Sequence, residues 1–311
     1  MISRVLDKFK NRLQSYRDKK DLSDSSSVNL DGLESVCFFS GPYRNLTSLT
    51  AAMAVLHPNC QVLNHAQSRI FPYNEVNFFK NYSHERFNSF VKYAIWLSLS
   101  GFRGRLGGSI LLSHAFDKSL VKSKYEERFD DNLLKDNIKC LLWKEGLHLK
   151  NHLLKYNVTE LDLIQKNDKI RFILPIRNPL DCAFSNQKTG MSNIFNNINQ
   201  DSTFQDILKS ILDEFLSFFQ NQKELNSNFF HFYQHTFNED TLKQFCVYMN
   251  LPFDQKWSLD VLEIYNIKSS YNHSKQDIAF YKKYVKDNFK DFPAEIKNLL
   301  KYVEYDENII K

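Results

Sequence analysis

Short apolar runs recur along the chain, separated by longer stretches in which apolar residues return every three or four positions. "SVCFF" (35–39), "CQVLN" (60–64), "SILLSH" (109–114), "IKCLLW" (138–143), "IRFILPI" (170–176) and "FFHFY" (229–233) have the length and composition of buried strands. The stretches near 46–56, 85–99, 119–135, 147–156, 180–188, 204–222 and 240–249 carry helical periodicity, and "SKQDIAFYKKYVKDNFKDF" adds a final amphipathic helix. Near-continuous apolar strands alternating with helices predict an α/β fold, a parallel sheet with helices on both faces. No internal repeat is present. The expected organisation is an α/β domain over 29–311 preceded by an arm over 1–28.

In the arm, Ile2, Val5, Leu6, Phe9, Leu13 and Tyr16 follow helical spacing, and "DLSDSSS" (21–27) reads as a flexible connector. Residues 1–20 hold seven Lys/Arg against Asp7 and Asp18, a surplus equal to the whole net charge of +5. The remainder is balanced, which argues against a nucleic-acid-binding body. Packing on the body or on a second subunit is the first expectation for this basic amphipathic helix. Peripheral binding to an anionic membrane is the alternative.

At 311 residues and 42% hydrophobic content the chain can bury a large core. No apolar run approaches the roughly 20 residues of a transmembrane span. Charges at Arg4, Asp7 and Lys8 interrupt any signal-like stretch. Five cysteines (37, 60, 140, 182, 246) are odd in number and form no CxxC. Reduced, buried thiols and a cytoplasmic location are expected.

Two stretches suggest chemistry. "FFSGPYRNLTSLTAAMAVLHP" (38–58) passes from a strand through a turn into a helix, the geometry that aims backbone N–H groups and a helix dipole at an anion. A Walker A loop would have glycine and lysine where Leu46 and Thr47 stand, so a magnesium-bound triphosphate is not the natural ligand. "IRFILPIRNPLDCAFSN" (170–186) ends a strand in Arg177-x-Pro179-x-Asp181-x-x-x-Ser185, and the arginine and serine can converge on one phosphate. Either stretch alone also fits an ordinary strand–turn–helix.

Together, about 130 residues apart and in this order, "SGPYRNLTSLTAAMAVLHP" and "RNPLDCAFS" resemble the two cofactor motifs of 3′-phosphoadenosine 5′-phosphosulfate (PAPS)-dependent sulfotransferases. The first departs from that family's usual Lys/Arg-x-Gly-Thr/Ser pattern at Asn45-Leu46. The resemblance implies a P-loop NTPase-like sulfotransferase fold and transfer of a sulfuryl group from PAPS to a hydroxyl, with an amine second, without a metal. It implies that Gly41, Arg44, Asn45, Thr47 and Ser48 hold the 5′-phosphosulfate, while Arg177 and Ser185 hold the 3′-phosphate. A small molecule, glycan or peptide is the acceptor class left open. A P-loop nucleoside or metabolite kinase and a catalytically silent nucleotide-binding protein are the competing functions.

The reacting groups are expected at strand ends. His65 closes "CQVLNHA" and could take the acceptor's proton, since imidazole titrates near working pH. In "LLWKEG" (141–146), Lys144 could stabilise the leaving oxygen, with Glu145 orienting it or acting as base. "GFRGRLGGSILLSHAFD" (101–117) holds four of the eight glycines, which suggests close backbone approach to a ligand or a mobile loop. Its Arg103, Arg105 and His114 are candidate acceptor contacts, His114 being a third candidate base. Lys268, Ser270 and Tyr271 of "IKSSYNHSK" could return to the cofactor. His148 and His152 lack the context of a metal site.

Overall fold

The computed structural model describes residues 2–104, 106–265 and 271–304, with side chains from residue 13 onward. Six strands form one sheet: β1 (Ser35–Phe39), β2 (Cys60–Asn64), β3 (Gly108–Ser109), β4 (Cys140–Lys144), β5 (Ile170–Ile176) and β6 (Phe229–Tyr233). Their order is β3-β2-β4-β1-β5-β6. All pairings are parallel except that of β3, which runs antiparallel to the end of β2.

The strands are apolar without alternation because both faces of the sheet are covered. Val36 and Phe38 of β1 and Leu141 and Trp143 of β4 enter one core; Cys37, Phe39, Cys140 and Leu142 enter the other. All five cysteines are buried and unpaired with one another. No helix among the described residues is long and apolar enough to cross a membrane.

Five of the six expected strands form where the apolar runs lie, but "SILLSH" does not extend. Only Gly108 and Ser109 pair, opposite Asn64 and Leu63, and the chain then leaves the β2 edge. The Ser109 hydroxyl then accepts from Leu111 N–H, turning the chain into 3-10 turns at Ile110–Leu112 and His114–Asp117. The helix expected to reach residue 135 stops at Phe129, where Asp130 takes a positive φ of 53°. Helices at Gln67–Ile70, Glu160–Lys166, Gln255–Ile264 and Pro293–Glu304 are additional. The first helix runs Ile2–Asp24 and passes into a 3-10 turn at Ser25–Ser27, so the serine-rich stretch is ordered against the helix His84–Ser98.

Candidate active site

The turn after β1 leads into the helix Thr47–Val55. Gly41 has φ +82°, the left-handed region that favours glycine, and a Cβ there would lie 2.5 Å from Leu174 Cδ1. Arg44 and Leu46 also take positive φ, 62° and 63°. Leu46 stands at the helix's N-cap and supplies no capping side chain. The first N–H groups of that helix therefore have no side-chain acceptor, which leaves them and the helix dipole for an anion.

Asn45 turns inward. Its amide donates to Pro175 O and accepts from Arg177 N at 3.1 Å, tying the turn to the end of β5. Beyond β5, Asn178 caps the helix Pro179–Thr189, and Pro179 occupies its first turn. The two stretches meet: Arg44 Nε donates to Ser185 Oγ at 2.9 Å, and Arg177 Nη1 to Arg44 O at 3.3 Å. Arg177 Nη2 pairs with Asp181 Oδ2 at 3.3 Å, and His273 Nε2 lies 2.8 Å from the other Asp181 oxygen. Arg177 Nε is buried and makes no hydrogen bond. Tyr271 packs on Phe184, ring centroids 4.7 Å apart. Arg105, Lys268 and Ser270 lie outside the described residues.

On the other side of the turn, the register of β2 against β4 sets Asn64 beside Lys144. Lys144 Nζ donates to Asn64 Oδ1 at 3.1 Å and lies 3.3 Å from His65 Nε2. His65 Nδ1 is 3.2 Å from Glu145 Oε2. The second Glu145 oxygen accepts from the Tyr43 hydroxyl and from Gly146 N–H. Burial pulls Lys144 down to about 8, with Glu145 opposing and Arg44 reinforcing the shift. Burial alone would raise Glu145, but the His65 hydrogen bond and charge and the Tyr43 hydroxyl outweigh it, leaving the carboxyl below its ordinary value. While Lys144 is an ammonium it can only donate, so His65 Nε2 accepts and Nδ1 carries the proton toward Glu145. That tautomer presents a basic nitrogen on the Lys144 side.

His65 and Ala66 both have positive φ, 55° and 75°. This uncommon corner is covered by Gly107, where a Cβ would fall 2.1 Å from Ala66 N. His65 O also accepts from Trp143 Nε1, and His65 N donates to Lys144 O at 3.3 Å. Gly107 thus lets backbone approach backbone at the His65–Ala66 corner, while Gly101 and Gly108 approach backbone of their own hairpin.

Arg44, Thr47, Ser48, His65, Lys144 and Arg177 line one open cleft of about 560 Å³, with His114, Lys118 and Met191 also on its wall. Its lining contains no carboxylate. Glu145 and Gly41 lie beneath it, around a small enclosed space that also touches Lys144. His114 is solvent-exposed and bound to Asp117 (Nδ1–Oδ2 3.1 Å), which also pairs with Arg103. It is outside the His65 array. His148 packs edge-on against Tyr43 and His152 stacks on Phe71, and no metal-ligating cluster occurs among the described residues. Sequence reasoning missed Tyr43, Asn64 and His273. Tyr43 and Asn64 adjoin residues it did choose; nothing local marks His273.

No family model and no curated protein sequence matches the chain. Among solved structures, mouse sulfotransferase SULT7A1 complexed with PAP is similar over 92% of this chain and 94% of its own, at 10% identity and a TM-score of 0.47. A sulfotransferase from Alicyclobacillus acidocaldarius covers 84% and 95%, at 11% identity and a TM-score of 0.41. STF9 from Mycobacterium avium covers 89% and 81%, at 12% identity and 0.42. All three are sulfotransferases, but likeness at this level carries no inference about chemistry, which rests on the cleft's own residues.

Proposed function

We propose that the chain is a sulfotransferase that moves a sulfuryl group from PAPS to an acceptor hydroxyl, with an amine as the second acceptor class. One observation carries this reading: the Lys144–His65–Glu145 array, its lysine and glutamate buried and its imidazole half-buried, opens into the same cleft as Arg44, the uncapped helix start at Thr47, and Arg177. The donor set suits a polyanion, with cations, hydroxyls and backbone N–H groups and no carboxylate. The unpartnered Arg177 Nε is a further buried donor available to one. When bound, PAPS supplies an activated sulfuryl group and a phosphate leaving group.

Arg177 and Ser185 would hold the 3′-phosphate; Arg44, Thr47 and Ser48 would hold the 5′ side, with Gly41 and Asn45 shaping the turn. Lys144 offers an ammonium where charge develops on the leaving oxygen. His65 Nε2 accepts the acceptor's proton once Lys144 turns toward that oxygen, and Glu145 holds Nδ1–H and stabilises the resulting imidazolium. Tyr43 links the donor turn to Glu145. His114 and Arg103, at the rim, are assigned to acceptor contacts.

The test is a thermal-shift comparison of 3′-phosphoadenosine 5′-phosphate (PAP) with ATP plus magnesium, because a ligand selective for the folded state stabilises it by RT ln(1 + [L]/Kd). PAP is expected to raise Tm and ATP–magnesium to leave it nearly unchanged. The reverse result would transfer the chain to the kinases.

A further inference from the structure

Arg69 lies three residues beyond Ala66 and is 97% buried, an unusual place for a guanidinium. Its helix, Gln67–Ile70, begins directly after the His65–Ala66 corner, and both Arg69 N and Ile70 N donate to Ala66 O. Among the described residues its carboxylate partners both come from the N-terminal helix Ile2–Asp24. Arg69 Nε pairs with Asp18 Oδ1 at 2.7 Å and Nη2 with Asp21 Oδ2 at 2.5 Å. Asp18 is itself buried, and Tyr73 and Gln14 donate to it. Trp96 Nε1 donates to Asp21 at 3.2 Å. The α/β body therefore contains a buried cation whose neutralising charges sit on the arm.

We infer that Asp18 and Asp21 are positioning residues of the active site, acting through Arg69 to hold the His65–Ala66 corner. The inference rests on the reading of His65 as the proton acceptor. A buried guanidinium stays in place only while its partners do, and Arg69 is anchored to Ala66 by less than one helical turn. The corner itself is backbone in a sparsely populated conformation, which persists only where its surroundings over-determine it. Gly107 covers it from the β3 side; the arm, through Arg69, fixes it from the other. Without the arm, Arg69 must move toward water and draw the chain after His65 with it. The arm is thus part of the catalytic support, and a change that lifts it from the body alters catalysis rather than donor binding, since Arg44, Arg177 and Ser185 stand on other elements.

The experiment uses the full-length protein with 15N-labelled histidine. In wild type the imidazole signals of His65 should report the Nδ1–H tautomer. Asp18→Asn, which removes charge without removing bulk, should move those signals toward a mixture of tautomers. His231 on β6, held by Gln222 at 2.8 Å, should stay unchanged. In the same variant kcat should fall by about 10- to 100-fold with the Kd for PAP retained, since small displacements of reacting groups are that costly. A folded Asp18→Asn protein with unaltered His65 signals would overturn the inference. If that variant does not fold, Asp21→Asn decides in the same way, with a smaller shift expected, because it leaves the Asp18 pair intact. A His65 response in a protein that transfers no sulfuryl group would sink the proposed function and leave the coupling standing.

Discussion

β4 has a buried lysine at its end and another just before its start, and the two lie in different settings. Lys144 closes the strand, hydrogen-bonded to Asn64 and facing His65, on the wall of the cleft. Lys135 lies before the strand's first residue. Its Nζ has no hydrogen-bond partner and sits 2.8 Å from the centre of the Phe129 ring, with Tyr125 beyond. Burial depresses both, Lys144 to about 8 and Lys135 to about 7. A perturbed pKa is therefore no marker of function by itself. What separates the two is direction: parallel α/β sheets bind ligands beyond the C-terminal ends of their strands, where N–H groups of the following helices converge. Lys144 is at that edge and Lys135 at the opposite one.

The largest expected effect breaks the pair apart. Lys144→Ala should lower turnover by roughly 100- to 1,000-fold, as for loss of one donor to a developing anion, with PAP affinity little changed. Lys135→Met should leave turnover alone; a comparable loss there would erase the distinction. Within the cleft, Arg177→Ala should weaken PAP binding by about 1.5–3 kcal/mol and leave adenosine 5′-phosphate unaffected, measurable by titration calorimetry.

Stability should respond in the opposite sense. Replacing the unpartnered Lys135 by Met should raise the unfolding free energy at pH 7 by about 1–4 kcal/mol in urea denaturation, as when a buried charge gives way to packed hydrocarbon. The folded-state pKa lies below the unfolded one, so between about 7 and 10.5 the unfolded chain binds more protons and stability rises with pH. Lys144 adds to that slope only above about 8. The slope between pH 7 and 8, at most about 1.4 kcal/mol per unit, should disappear in Lys135→Met alone.

The smallest effect concerns pH and rate. With Lys144 proposed as the ammonium at the leaving oxygen, kcat/KM should decline as pH rises through about 8. Lys144→Arg, which stays protonated, should remove that limb even if its absolute rate is lower. A profile flat to pH 10 in wild type would count against the leaving-oxygen role.

Much of the scaffold was legible because apolar runs buried on two faces have few alternatives to a parallel strand. Both strand-to-helix turns were legible too: each lies within about 20 consecutive residues, and Gly41, Pro179 and Asn178 carry local backbone reasons for being there. "SILLSH" misled because an apolar run does not by itself fix extended backbone: only Gly108 and Ser109 pair with β2, and the Ser109 hydroxyl then accepts from Leu111 N–H as the chain turns. The 101–108 glycines were visible as an anomaly whose purpose was not, since their close neighbours are backbone atoms some 40 residues earlier in the chain as well as their own hairpin.

By itself the sequence determined that two strand-to-helix turns exist, with arginines and hydroxyls at their starts, because spacing and turn chemistry are properties of consecutive residues. Only the tertiary structure decided that Arg44 reaches Ser185, that Asn64 stands beside Lys144, and that Glu145 lies under His65 rather than in the cleft. It also decided that an arm carrying most of the charge imbalance inserts two carboxylates beside Arg69. These contacts depend on strand register and on burial, which strengthens charge interactions by excluding water, and neither quantity is a property of any segment taken alone.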